Sequence, residues 1–128
     1  MIVPDTHAWI WWMSGSRKLS PRARRELEAA DAVGVCAISC WEVAMLAARQ
    51  RIGLDREPLT WIKQALASPR VELVPISPEI AVEAARLPKS FPGDPADRLI
   101  VSSAMQHRAT LVTKDRQIRA SKLVRAVW

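Results

Sequence analysis

The chain has 128 residues, 49% of them apolar, so a folded core is expected and disorder is not. Its net charge of +6 comes from 19 basic and 13 acidic residues, with arginine dominating the basic set. Such a surplus suits a nucleic-acid or acidic protein partner, though solubility alone also accounts for it.

The length fits one compact domain spanning residues 1–128, with no linker, repeat or low-complexity tail. The apolar stretch "HAWIWWM" near the start is too short to cross a bilayer. It has no basic segment before it and no small-residue cleavage site after it, so neither a membrane segment nor a signal peptide is expected. The expected location is cytoplasmic. Cys36 and Cys40 then read as reduced thiols, and with only His7 and His107 beside them a structural zinc site is a weak reading.

In chain order, "MIVPD" reads as a short buried strand ending at Asp5, with Pro4 tolerable only at its last residues. "THAWIWWM" is helical. A second helix runs through "LSPRARRELEAAD", with Ser20 as cap, Pro21 at its start and Leu27 facing inward. "AVGVCAI", residues 32–38, is a strand apolar on both faces. A helix follows from Ser39, where Ser39 and Glu42 have capping-box spacing and Gly53 is the expected stop. "PLTWIKQALAS" is a helix, "VELVPI" a strand, and "SPEIAVEAARLP" a helix opened by Ser77 and Pro78. Asp94 and Pro95 open the next helix, which runs to about His107. "ATLVT", "DRQIRAS" and "LVRAVW" close the chain as strand, helix and strand. Five strands interleaved with helices imply a parallel sheet, hence a three-layer α/β/α domain with its site beyond the carboxyl ends of the strands.

Four acids fall at such places. Asp5 ends the first strand, Glu42 follows the second, Asp97 lies in the first turn of a helix, and Asp115 follows "LVT". Parallel strands bring them to one edge. Clustered carboxylates repel one another and lose hydration, so they call for a cation, and oxygen donors suit Mg²⁺ or Mn²⁺. Each acid also has a purely structural reading as a helix cap or first-turn residue.

"VPDTHAWIWW", "ISCWEVAML", "DPADRLIVSSA" and "LVTKD" resemble, in order and spacing, the motifs of PIN domains, and within these the VapC-type toxins of bacterial toxin–antitoxin pairs. The resemblance covers nearly the whole chain. It implies a five-stranded parallel sheet in order 3-2-1-4-5 and a Mg²⁺- or Mn²⁺-dependent nuclease that cuts RNA as the toxin of a type II pair. It places the family's acids on Asp5, Glu42, Asp97 and Asp115. Asp94 matches an extra acid of the "DPxDR" subgroup, and Thr113 the hydroxyl residue two positions before the last acid. Asp5, Asp97 and Glu42 are the expected main ligands, with Asp115 completing the set or placing a second ion. The expected partners are RNA such as tRNA or rRNA, a small VapB-like antitoxin and a second copy of the chain in a homodimer.

His7 is a candidate to meet the scissile phosphate, with a packing role at least as reasonable. Arg98 would hold a phosphate or, by a small margin, brace the acids through Glu42 or Asp94. Arg49 and Arg51 are candidates for the RNA backbone. The six tryptophans are explained more economically by core packing or a subunit interface than by base stacking. Two other classes remain open. One is a PIN-like enzyme for RNA processing or DNA cleavage outside a toxin pair. The other is a non-catalytic α/β domain such as a receiver, for which an early acidic pair is missing.

Overall fold

The computed structural model describes residues 1–128. The sheet is built from β1 (Ile2–Pro4), β2 (Val33–Cys36), β3 (Val71–Val74), β4 (Thr110–Val112) and β5 (Ala126–Val127). All pairings are parallel, and the order is β3-β2-β1-β4-β5, as expected. The helices are α1 (Thr6–Met13), α2 (Pro21–Ala29), α3 (Ala37–Ala48), α4 (Pro58–Leu66), α5 (Pro78–Arg86), α6 (Pro95–Gln106) and α7 (Arg116–Ser121). None is long and apolar enough to cross a membrane.

Alternation along each strand distributes the core between the two faces of the sheet. Val3 and Leu111 join Ile100, Val101 and Ala104 of α6. Their neighbours Ile2 and Val112 join Ala8 of α1 and Ala23 and Leu27 of α2. A third cluster packs Val35 with Trp9, Val43, Leu46 and Trp61, where Trp9 and Trp61 meet edge-on at 5.2 Å. Pro4 is the last residue of the central strand, where its missing N–H costs least.

Several boundaries differ from the sequence reading: β3 stops at Val74 and β5 covers only Ala126–Val127. β2 stops at Cys36, opposite Val74, and Ala37 already belongs to α3. Ser39 therefore lies inside the helix. It forms no capping box, because its buried hydroxyl pairs with Thr6 at 3.0 Å. α3 also ends before Gly53. Gln50 takes a left-handed φ of 56°, and Arg51 N–H bonds back to Leu46 O at 2.9 Å, which closes the last turn. The edge strand β3 is not covered on both faces: Leu73 is 49% exposed, with Ile76 and Val82 also open to solvent. Both cysteines are free, and burial pushes the Cys36 thiol up to about 11, where it is inert.

Candidate active site

Three of the acids, Asp5, Asp94 and Asp115, are helix caps, because a carboxylate there accepts the helix's free amides. Asp5 caps α1, its Oδ1 accepting from Ala8 N–H at 2.9 Å. Its Oδ2 accepts from Thr113 Oγ1 at 2.6 Å, a contact between the residues that follow β1 and β4. Thr113 is fully buried, and its oxygen also accepts from Asp115 N–H at 3.1 Å. One hydroxyl thus ties two acids together. Asp115 caps α7 through Ile118 N–H at 3.0 Å. Asp94 caps α6, with Oδ1 accepting from Ala96 N–H at 2.8 Å and, more weakly, Asp97 N–H at 3.3 Å.

Glu42 sits in the second turn of α3, not at a cap. Its Oε1 accepts from the Thr6 hydroxyl. A carboxylate only accepts, so Thr6 gives its proton to Glu42 and takes one from Ser39. Asp97 accepts from no donor of the protein. The ion pair present, between Arg56 and Asp55, lies outside the acidic cavity.

Asp5, Glu42, Asp94, Asp97 and Asp115 all line one cavity of about 410 Å³. Their charges are felt. Burial first, then repulsion from Asp94, Glu42, Asp5 and Asp115, raises Asp97 to about 7. Burial also raises Asp5, against the donors Thr113 and Ala8, and raises Glu42, against the Thr6 hydroxyl. As the side chains stand, no three acids group tightly enough to hold an ion. The caps explain this: Asp5, Asp94 and Asp115 each turn an oxygen to backbone amides. The donor set still fits a hard divalent cation, since it is all carboxylate oxygen and Asp97 has no other partner.

Thr6, His7, Trp11 and Lys114 complete the wall. His7 is exposed at the cavity. The sequence reading passed over Thr6 and weighed Lys114 only as the late lysine of a receiver, not as part of this site. Thr6 follows Asp5 directly, and Lys114 lies between the two tied residues, so strand-end position was the available signal for both.

Arg98 does neither thing expected of it. It braces no acid and faces no phosphate site. Its Nε donates to Pro92 O at 3.1 Å, and Nη1 donates to Ala84 O at 3.2 Å and Leu87 O at 3.3 Å. Nη2 donates to Pro88 O at 3.3 Å and Phe91 O at 3.4 Å, and the guanidinium lies 5.8 Å from the Phe91 ring centroid. A planar fork gathers the carbonyls of a curled segment, of which Pro88 O also accepts from the Phe91 amide at 2.9 Å. The loop leads straight to Asp94. Arg98→Lys is expected to lower stability by about 2 kcal/mol, because an ammonium cannot span this fan. Thermal unfolding measures it. Arg49 and Arg51 are exposed beyond the last turn of α3, about 10 Å along the helix from Glu42, and do not line the cavity.

An open parallel sheet with an acidic cavity beyond the carboxyl ends of its strands defines the class as an α/β domain with its site at the usual edge. Comparison with known proteins is more specific. The PIN domain family matches residues 2–122, and the chain belongs to that family. It is 43% identical over 126 residues to "Ribonuclease VapC22" of Mycobacterium tuberculosis, covering 98% of this chain and 95% of that protein. Among solved structures, a chain of a toxin–antitoxin complex from Klebsiella pneumoniae superposes with a TM-score of 0.72 at 22% identity, covering 100% of this chain and 97% of that one. A chain of VapBC2 from Rickettsia felis, bound to a promoter DNA fragment, gives 0.71 at 18% identity, covering 99% and 98%. At these identities the structures speak for the fold.

Proposed function

We propose that the chain is a Mg²⁺- or Mn²⁺-dependent endoribonuclease, a single catalytic unit acting as the toxin of a type II pair in the cytoplasm. The observation that carries this is one cavity lined by five carboxylates, with Asp97 lacking any donor and raised to about 7. The 43% identity to a protein named a ribonuclease supports RNA as substrate. Solved VapBC and toxin–antitoxin assemblies of the same fold support a VapB-like antitoxin as partner.

Asp97, Asp5 and Glu42 would hold the cation, with Asp115 and Asp94 completing the donor set. The bound cation supplies Lewis acidity at the phosphate and lowers the pKa of the attacking water. The protein's own groups set the geometry. Thr113 and the Ala8 amide fix the Asp5 carboxylate, and Thr6 orients Glu42. His7 and Lys114 line the same cavity and would meet a substrate phosphate bound there. Arg49 and Arg51 engage only a strand long enough to run along α3. The exposed Leu73, Ile76 and Val82 offer apolar surface for a homodimer, which light scattering should report as twice the chain mass.

The test is direct. The purified chain, incubated with tRNA and rRNA, should cut in Mg²⁺ or Mn²⁺ and stop in EDTA. Expression alone should slow bacterial growth, and a small protein encoded beside it should relieve the arrest. Intact RNA in Mn²⁺ rejects the enzyme reading. Cleavage by a protein harmless to cells moves it outside a toxin pair.

A further inference from the structure

Trp11 is the one apolar side chain on the wall of the acidic cavity. Among the other tryptophans, Trp9 and Trp61 are buried core residues, and packing accounts for them. Trp11 is half-buried, and its orientation is fixed from two sides. His7, one turn earlier on α1, lies against it with ring centroids 5.5 Å apart and planes at 52°. Trp128 meets it edge-on at 5.9 Å and 63°. The three rings run in series from the exposed His7 to half-buried positions beside the core. Packing against two core clusters holds the indole, while part of it stays open to the cavity.

A cavity walled by carboxylates gains nothing from an aromatic ring unless its ligand has an apolar face as well as a charge. Nucleotides have both. Trp11 lies six residues along α1 from Asp5, about 9 Å, which is the scale on which a base stands off from a neighbouring phosphate. We propose that Trp11, braced by His7 and Trp128, is a stacking subsite for an unpaired nucleobase next to the phosphate held at the acids. This rests on the nuclease reading above and adds a requirement to it: the nucleotide must be unstacked from its own strand. Duplex RNA cannot present a base this way, whereas loops and ends do. Stacking accepts any base, so the subsite selects strand state rather than sequence.

The probe is a single-stranded eight-nucleotide RNA carrying 2-aminopurine at each position in turn, mixed with the protein in Mg²⁺. Fluorescence is read before cleavage proceeds, and cleavage of the same strand in Mn²⁺ is followed on gels. One position should be quenched by the wild type. Trp11→Leu should lose that quenching and bind about 10-fold more weakly or worse, while Trp11→Phe should stay within about 3-fold. An abasic nucleotide at that position should weaken the wild type equally and cost Trp11→Leu nothing further. Unchanged quenching in Trp11→Leu, additive penalties or no quenching at any position would overturn the subsite. RNA that is quenched but never cut removes the nuclease reading and leaves the stacking; RNA cut without quenching does the reverse. If Trp11→Leu folds poorly, the wild type alone decides: the quenched position must be the one where an abasic nucleotide weakens binding, and an abasic strand bound as tightly as the intact one overturns the subsite.

Discussion

Asp97→Asn is expected to reduce RNA cleavage at least about 10³-fold, while the purified protein stays folded and becomes more heat-stable without metal. The two effects have one origin. Asp97 is the acid with no protein donor, and Asp94, Glu42, Asp5 and Asp115 all push against its charge. Asparagine keeps the volume and removes the charge, which relieves the repulsion and withdraws a ligand the cation requires. Asp5→Asn should abolish cleavage equally but should not stabilise. Its carboxylate already accepts from Thr113 and from the Ala8 amide, and an amide nitrogen in place of either oxygen would face a donor. Single-turnover cleavage in Mn²⁺ beside thermal unfolding in EDTA measures both variants. Full activity in Asp97→Asn would remove it from the ligand set.

The metal-free protein should lose stability as pH rises from about 4 to about 7. Asp97 ionises near 3.8 when unexposed to its neighbours and near 7 in the fold. Between those values the folded chain holds a proton that the unfolded chain has released. Unfolding therefore releases that proton, and raising the pH favours the unfolded state. Asp97 is partly open to water, so screening reduces the effect to about 1–2 kcal/mol, or roughly 3–8 °C in Tm. The raised Asp5 and Glu42 act in the same direction. Melting curves in EDTA at pH 5 and pH 8 check this. Asp97→Asn should flatten most of the difference, and millimolar Mn²⁺ should restore stability at pH 8, because a ligand bound only by the folded state adds to its stability. A wild-type Tm in EDTA that is the same at both pH values would mean that the acids are not mutually destabilised.

The strands, the helices and the acids' places at their junctions were legible in the sequence because their signals are local, whereas the strand order came only with the resemblance to PIN domains. Short apolar runs bounded by Asp or Ser caps need only a few consecutive residues to be read, and Ser20, Ser77 and Asp94 cap their helices as their spacing indicates. Local rules failed where a distant partner competed for the same group. Ser39 and Glu42 have capping-box spacing, yet both turn to Thr6, more than 30 residues earlier, because the sheet brings α1 against α3. Arg98 stands beside Asp97 in sequence, but the chain curls a fan of carbonyls around it, and five acceptors outweigh one neighbouring charge. Only the tertiary structure ties Asp5 to Thr113 across 108 residues. Only it separates Trp11, at the acidic cavity, from Trp9, two positions earlier and wholly in the core. Adjacent helical residues point about 100° apart, so the sequence listed six similar rings while the fold decided which of them meets a charged cavity.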